Sequence, residues 1–175
     1  MKAKIIFITI LSFILLSNLQ AQTSISDLNP SRYFDFWIGE WNLTWKKADG
    51  SVGEGENSVS KTLNDKVIRE NFKVTNDPAM GNFTGKSWSV YNKNNGTWYQ
   101  TWVDNNGAYL DFIGEFNGNK RVFKREFIMS DGTLLMQRMV FYDIKKDSFS
   151  WDWETSSDRG ETWELRWKID YSRKK

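Results

Sequence analysis

Turn signals recur along this chain at intervals that leave room for little besides β-strands. Asp49-Gly50, Asn64-Asp65, Asn94-Asn95-Gly96, Asn105-Asn106-Gly107, Asn117-Gly118-Asn119, Ser130-Asp131-Gly132, Lys145-Lys146-Asp147 and Ser157-Asp158-Arg159-Gly160 punctuate it. Asn, Asp and Gly accept the positive φ that tight hairpins demand. The runs between them are rich in Val, Ile, Thr and aromatic residues. They predict strands over approximately 40–47, 51–62, 66–75, 85–92, 97–103, 108–116, 120–128, 133–143, 148–155 and 162–171. One longer irregular connection, 75–84, carries Asp77-Pro78. Ahead of the first strand, Asn29-Pro30 reads as an N-cap followed by proline at the first helical position, so Ser31 to Phe36 makes one or two helical turns. No helix of useful length follows.

Consecutive antiparallel strands joined by short turns specify an up-and-down meander, which hides its unpaired edges by closing on itself. A closed barrel of this size leaves a cavity for one small ligand. The predicted fold class is all-β: a single antiparallel barrel of about ten strands with a short N-terminal helix. An open twisted sheet is the alternative.

Residues 1–21 read as an export signal. Lys2 and Lys4 form a positive start, Ile5 to Leu16 is a nearly unbroken apolar run, and Leu19-Gln20-Ala21 offers a cleavage site. The run is too short for a comfortable membrane span, so no membrane insertion is expected after signal removal, and no Cys follows to carry a lipid. The expected organisation is a signal peptide at 1–21, a polar leader at 22–30 and one barrel domain at 31–175, exported to the periplasm or the medium. Residues 1–21 hold two lysines and no acid, so of the 24 basic and 22 acidic residues the mature chain keeps 22 of each. A neutral chain gives no reason to expect a nucleic-acid partner. The oligomeric state is left open.

The chain has no Cys and no His. The barrel must be stable without disulfides, and the usual zinc sites, Ser-His and Cys-His nucleophile pairs and imidazole base are all excluded. Catalysis must use Asp, Glu, Tyr, Lys or Arg. No metal and no cofactor is expected: Ala108 falls where a calcium loop after Asp104 would need a ligand, and no phosphate loop, Gly-x-Ser-x-Gly or nucleotide fingerprint is present.

The richest stretch is Thr97 to Gly107. Strand alternation puts Trp98, Gln100, Trp102 and Asp104 on one side. Indoles flanking an amide form a mostly apolar wall with one placed donor and acceptor, as small-molecule pockets require. Trp88, Trp98, Trp102, Trp151 and Trp153 offer planes on which sugar rings stack, or bulk that fills a barrel. Gln100 meets either a ligand or a neighbouring strand. Glu70 lies between Ile68 and Phe72 on one strand face. Facing inward it has a raised pKa and serves as acid or base, unless it pairs with an inward arginine. Arg121, Phe123, Arg125 and Phe127 share a face, so Arg121 or Arg125 is that partner, or holds a substrate carboxylate or sulfate. Asp104 either caps its turn or faces a ligand, and Glu154 and Ser156 beside Asp158-Arg159-Gly160 carry the same two readings. Tyr99 and Tyr109 are candidate phenolic acids or bases.

Gly39-Glu40-Trp41, opening the first strand after a short helix, resembles the Gly-x-Trp of lipocalins and related calycin barrels. There the Trp closes one end of the barrel, often under a basic residue from the last strand, and Arg166 is the expected partner. A closer resemblance covers nearly the whole mature chain. Phe34-Asp35-Phe36-Trp37-Ile38-Gly39-Glu40-Trp41, Glu70-Asn71-Phe72, Trp98-Tyr99-Gln100-Thr101-Trp102-Val103-Asp104 and Trp153-Glu154-x-Ser156-x-Asp158-x-Gly160-x-Thr162-Trp163 resemble an exported bacterial calycin-like family of largely unknown function. Its members often have His where this chain has Tyr99. A small group resembling that family dehydrates uronic-acid ends of sulfated algal oligosaccharides such as those from ulvan.

The resemblance implies β-elimination on a terminal uronic acid. That reaction needs a cation on the sugar carboxylate, a base for the adjacent C–H and an acid for the departing oxygen. The expected catalytic residues are Glu70, Tyr99 and Tyr109. The expected substrate-binding residues are Arg69, Gln100, Trp102, Asp104, Arg125, Trp153 and Glu154. Two other readings compete: a non-catalytic, lipocalin-like carrier whose Glu70 pairs with an inward arginine, and a partner protein that uses exposed Trp as anchors.

Overall fold

Ten strands form in chain order in the computed structural model, which describes residues 28–117 and 119–175. The expected signal at 1–21, residues 22–27 of the leader and Gly118 of the 117–119 turn lie outside the described residues. The strands are β1 (Gly39–Lys46), β2 (Val52–Thr62), β3 (Val67–Asn76), β4 (Thr84–Asn92), β5 (Thr97–Asp104), β6 (Tyr109–Asn117), β7 (Lys120–Ile128), β8 (Leu134–Tyr142), β9 (Ser148–Ser156) and β10 (Glu164–Arg173). Each pairs antiparallel with its neighbours in sequence, and β1 closes on β10 with Trp41 opposite Arg173 and Leu43 opposite Tyr171. The meander is a closed calycin-like barrel, not an open sheet. Closure pairs every strand on both sides and leaves no free edge.

The N-terminal segment plugs one end. Its helical turns are 3-10, over Pro30–Arg32 and Asp35–Trp37; a segment this short has too few residues to stabilise an α-helix. Asn29 caps the first turn, its Oδ1 accepting from the Ser31 backbone at 3.0 Å. Phe34 is fully buried, stacked on Phe123 at 4.4 Å and edge-on to Trp98 at 5.1 Å. The Trp98 indole donates to the Pro30 carbonyl at 2.8 Å, and Arg121 donates to the Tyr33 carbonyl at 2.9 Å. Arg121 is thus spent on holding the plug.

Trp41 occupies the closed end as the Gly-x-Trp resemblance implies, and its indole donates to the Trp37 carbonyl at 2.8 Å. The cation above it is Arg173, 4.2 Å from the ring centre, and not the expected Arg166. The reason is register: β10 runs toward the closed end, so its last residue, Arg173, lies opposite Trp41. Arg166 sits near the start of β10, at the other end, bonded to Thr155 and Glu164. Gly39 makes the arrangement possible. Its φ of +144° suits glycine, and a Cβ there would lie 2.1 Å from the Arg173 guanidinium.

The other end is a mouth framed by the connections 47–51, 77–83, 105–108, 129–133 and 157–163. Among the described residues no helix is long and apolar enough to cross a membrane. Emptying the plug's anchor should unseat the closed end: Phe34→Ala is expected to cost about 3–5 kcal/mol in urea unfolding, as for other buried Phe truncations.

Candidate functional site

Strand alternation decides which side chains reach the interior. Trp45, Phe72, Gly85, Ser87, Trp102, Phe112, Trp153 and Ile169 point in, and their sequence neighbours point out. Between plug and mouth lies a cavity of about 210 Å³. Its walls are chiefly aromatic: Trp37 at the floor, Trp151, Trp153 and Trp167 on one side, Phe72, Phe83 and Trp102 on the other. It falls below the roughly 300–1,000 Å³ of drug-sized pockets, so it has room only for a small group.

Trp102 lies flat against the β4 backbone. A Cβ on Gly85 would come within 1.9 Å of the indole, so only glycine leaves room for the ring. The indole N–H donates to Asp104 Oδ2 at 3.0 Å, while Asp104 Oδ1 accepts from the Asn106 and Ala108 backbones. Asp104 therefore does both things expected of it in the alternative: it caps its turn, and it lines the cavity near the mouth.

Glu70 is the one carboxyl deep in this wall. It is buried, and among the described residues no cation pairs with it. Its oxygens accept from Asn57 Nδ2 at 2.6 Å and Ser87 Oγ at 2.5 Å. Burial raises its pKa from the usual 4.5 to about 7, against the opposing pull of those two hydrogen bonds. Asn57 also donates to the Tyr171 hydroxyl at 3.3 Å. Burial, and then the negative charge of Glu70, push that phenol well above its ordinary range. On the other side Gln100 donates to Ser87 at 3.3 Å and Ser89 at 3.0 Å. The result is one buried chain, Tyr171–Asn57–Glu70–Ser87–Gln100–Ser89. Among the described residues Asn57 Oδ1, Gln100 Oε1 and Trp37 Nε1 find no partner, an uncommon state for buried polar atoms.

The expected site divides in two. Glu70, Trp102, Asp104 and Trp153 line the cavity, and Gln100 is linked to Glu70 through the Ser87 hydroxyl. Tyr99, Tyr109 and Arg69 do not: they share the parity of the outer face, and Tyr109 is 69% exposed. Glu154 also faces outward, in an ion pair with Arg138, whose guanidinium covers the Trp163 ring at 3.9 Å. Its neighbours Ser156 and Asp158 fold the β9–β10 loop; the Asp158 carboxyl, held low by the Ser156 and Thr162 hydroxyls, is a loop cap. Arg125 faces inward on the mouth half of β7 but bonds to Gln137 at 2.8 Å, is absent from the cavity lining, and leaves its Nε unpartnered. Of the tryptophans proposed for stacking, Trp102, Trp151 and Trp153 line the cavity, Trp98 braces the plug, and Trp88 lies on the outer surface.

Asn57, Ser87, Ser89, Tyr171, Trp37 and Trp167 were not foreseen. The available signal was the small-residue alternation Gly53, Gly55, Asn57 and Gly85, Ser87, Ser89, which marks strand faces that must leave room inside. Among the described residues no group of three or more His, Cys, Asp or Glu is placed to hold a metal ion. In comparisons with known proteins, no family model and no curated protein matches the chain.

The buried carboxyl makes stability depend on pH. Folded Glu70 keeps its proton up to about pH 7, whereas the unfolded carboxyl releases it near 4.5. Its contribution is therefore whole below pH 4.5 and is lost as pH rises through 7, by about 3 kcal/mol. Urea unfolding between pH 4.5 and 8 should show that decline, and Glu70→Gln should flatten it. In a second test, Gly85→Ala should displace the Trp102 indole and shift the intrinsic fluorescence.

Proposed function

We propose that this chain is an exported barrel enzyme in which Glu70 moves a proton on a small ring held between tryptophans. The proposed reaction is loss of water from a terminal uronic acid of an acidic oligosaccharide. The observation that carries the reading is Glu70 itself: a buried carboxyl on the wall of an aromatic cavity, with no cation beside it among the described residues, whose pKa burial pushes up to about 7. Such a group costs stability, and its pKa matches that of a general base working near neutral pH.

The chemistry assigns one residue two successive duties. Ionised Glu70 takes the proton from the carbon next to the sugar carboxylate. The electron pair left behind forms the new C=C bond and expels the β-hydroxyl, which leaves as water carrying the proton that Glu70 returns. Tyr171, kept protonated by its surroundings, donates a hydrogen bond to the oxygen that gains charge. It takes the place of Tyr99 and Tyr109, whose side chains face away. Trp102 and Trp153 hold the ring, and Arg125, on the mouth half of β7 outside the cavity lining, would turn from Gln137 to meet the carboxylate. The closed floor favours a chain end over a mid-chain site.

The lipocalin-like carrier remains the second reading, because among the described residues no Lys or Arg lines the cavity. An apolar or amphipathic ligand would need none.

Purified chain mixed with uronate-ended oligosaccharides should generate the ultraviolet absorbance of a conjugated enoate. The rate should rise with pH through about 7, as Glu70 ionises. Glu70→Gln should lower it by roughly 10²–10⁴-fold, the usual worth of a general base. Tyr171→Phe should lower it less, and Tyr99→Phe and Tyr109→Phe should leave it intact. A flat trace together with ligand-dependent quenching of tryptophan fluorescence would replace the enzyme with the carrier.

A further inference from the structure

Several expected site residues that do not reach the cavity lie together on the outer face of β3–β6. Three ladder rows cross that face. Arg69, Trp88, Thr101 and Asp111 stand in register, with Val67, Val90, Tyr99 and Ile113 on one side and Asn71, Lys86, Val103 and Tyr109 on the other. Trp88 is 39% exposed, Ile113 51%, and Val90 and Tyr99 are similarly open. A contiguous apolar and aromatic field of this kind on a soluble face marks a contact surface.

The middle row indicates what covers it. It carries a cation at one end and an anion at the other, with a large Trp beside the cation and a small Thr beside the anion. Strand neighbours are about 4.8 Å apart, so Arg69 and Asp111 stand ~14 Å apart across the sheet. Consider a second barrel laid face to face, related by a two-fold axis that runs along the strands between β4 and β5. Each row then meets its own copy reversed. Arg69 faces Asp111 of the second copy, Trp88 fits over its Thr101, and Val67 and Val90 meet its Ile113 and Tyr99. The middle row is complementary to itself in charge and in size, as an isologous contact requires, while the third row sets Asn71 against Tyr109 and Lys86 against Val103. Among the described residues Asp111 has no ion-pair partner within its own barrel, and Arg69 bonds only to the Ser60 hydroxyl at 3.2 Å.

We propose that this face joins two copies of the chain in a two-fold dimer, held by Trp88 and Tyr99 and set in register by Arg69 and Asp111. Its footprint, four strands by three rows on a convex surface, is below the roughly 800 Å² per partner of standard interfaces, so the dimer is a weak, reversible one. The proposal is independent of the cavity's chemistry and leaves both mouths open.

The test is sedimentation velocity on the full mature chain over a dilution series reaching millimolar. The expected result is reversible dimerisation that weakens at least tenfold in Arg69→Asp and in Asp111→Arg and returns when the two changes are combined. Both altered side chains are on the surface, so circular dichroism should show intact barrels throughout. A monomer at every concentration overturns the proposal. So does a dimer indifferent to these changes, and so does a double variant that stays as weak as the single ones. Oligosaccharide binding that quenches Trp88 in a strictly monomeric protein would make the face a sugar platform instead.

Discussion

A closed sheet has an interior of fixed size, and filling it governs nearly every inward position of this barrel. The strands meet this constraint by setting indoles against glycines and serines. The Trp45 indole lies over Gly53 and the Trp102 indole over Gly85, each so close that a Cβ would collide, and a Cβ on Gly114 would meet the Trp98 Cβ. The Phe34 plug fills the remaining volume at one end. Where this filling stops, between Trp37 and the mouth, the cavity begins. The packed wall and the cavity are thus two outcomes of the same arithmetic of large against small side chains.

Within that packed wall Glu70 is an exception that stability alone does not explain. Two hydrogen bonds satisfy its oxygens, yet among the described residues no cation offsets its charge. An apolar residue of similar shape, with Asn57 and Ser87 replaced in step, would pack as well and cost less. The surrounding amides and hydroxyls hold the carboxyl in one orientation, and the unpartnered Asn57 Oδ1 and Gln100 Oε1 show that the polar chain is incomplete by itself.

Much of the fold was legible in the sequence because a meander is specified locally. Turn residues mark the hairpins and β-rich runs mark the strands, so all ten strands fall within about two residues of expectation. The site was legible in part. Glu70, Gln100, Trp102, Asp104 and Trp153 follow from alternation once the inward face is known. Tyr99, Tyr109, Arg69 and Glu154 have the right chemistry and the wrong parity, and nothing local corrects this. In β4 hydropathy even points the wrong way: Trp88 and Val90 face out while Ser87 and Ser89 are buried, because Trp102, Gln100 and Trp98 on β5 need the inner space.

The sequence by itself determined the number of strands, their order and the hairpins joining them, and it set aside thiol and imidazole chemistry by omitting both residues. Those properties depend on near neighbours and on composition. Tertiary structure decided which face of each strand is inside, that Arg173 and not Arg166 lies over Trp41, that Glu70 takes Asn57 and Ser87 and no arginine, and that Tyr171 stands beside it. Each of those depends on register around a closed sheet, where β1 meets β10 only after every intervening hairpin has set its own offset.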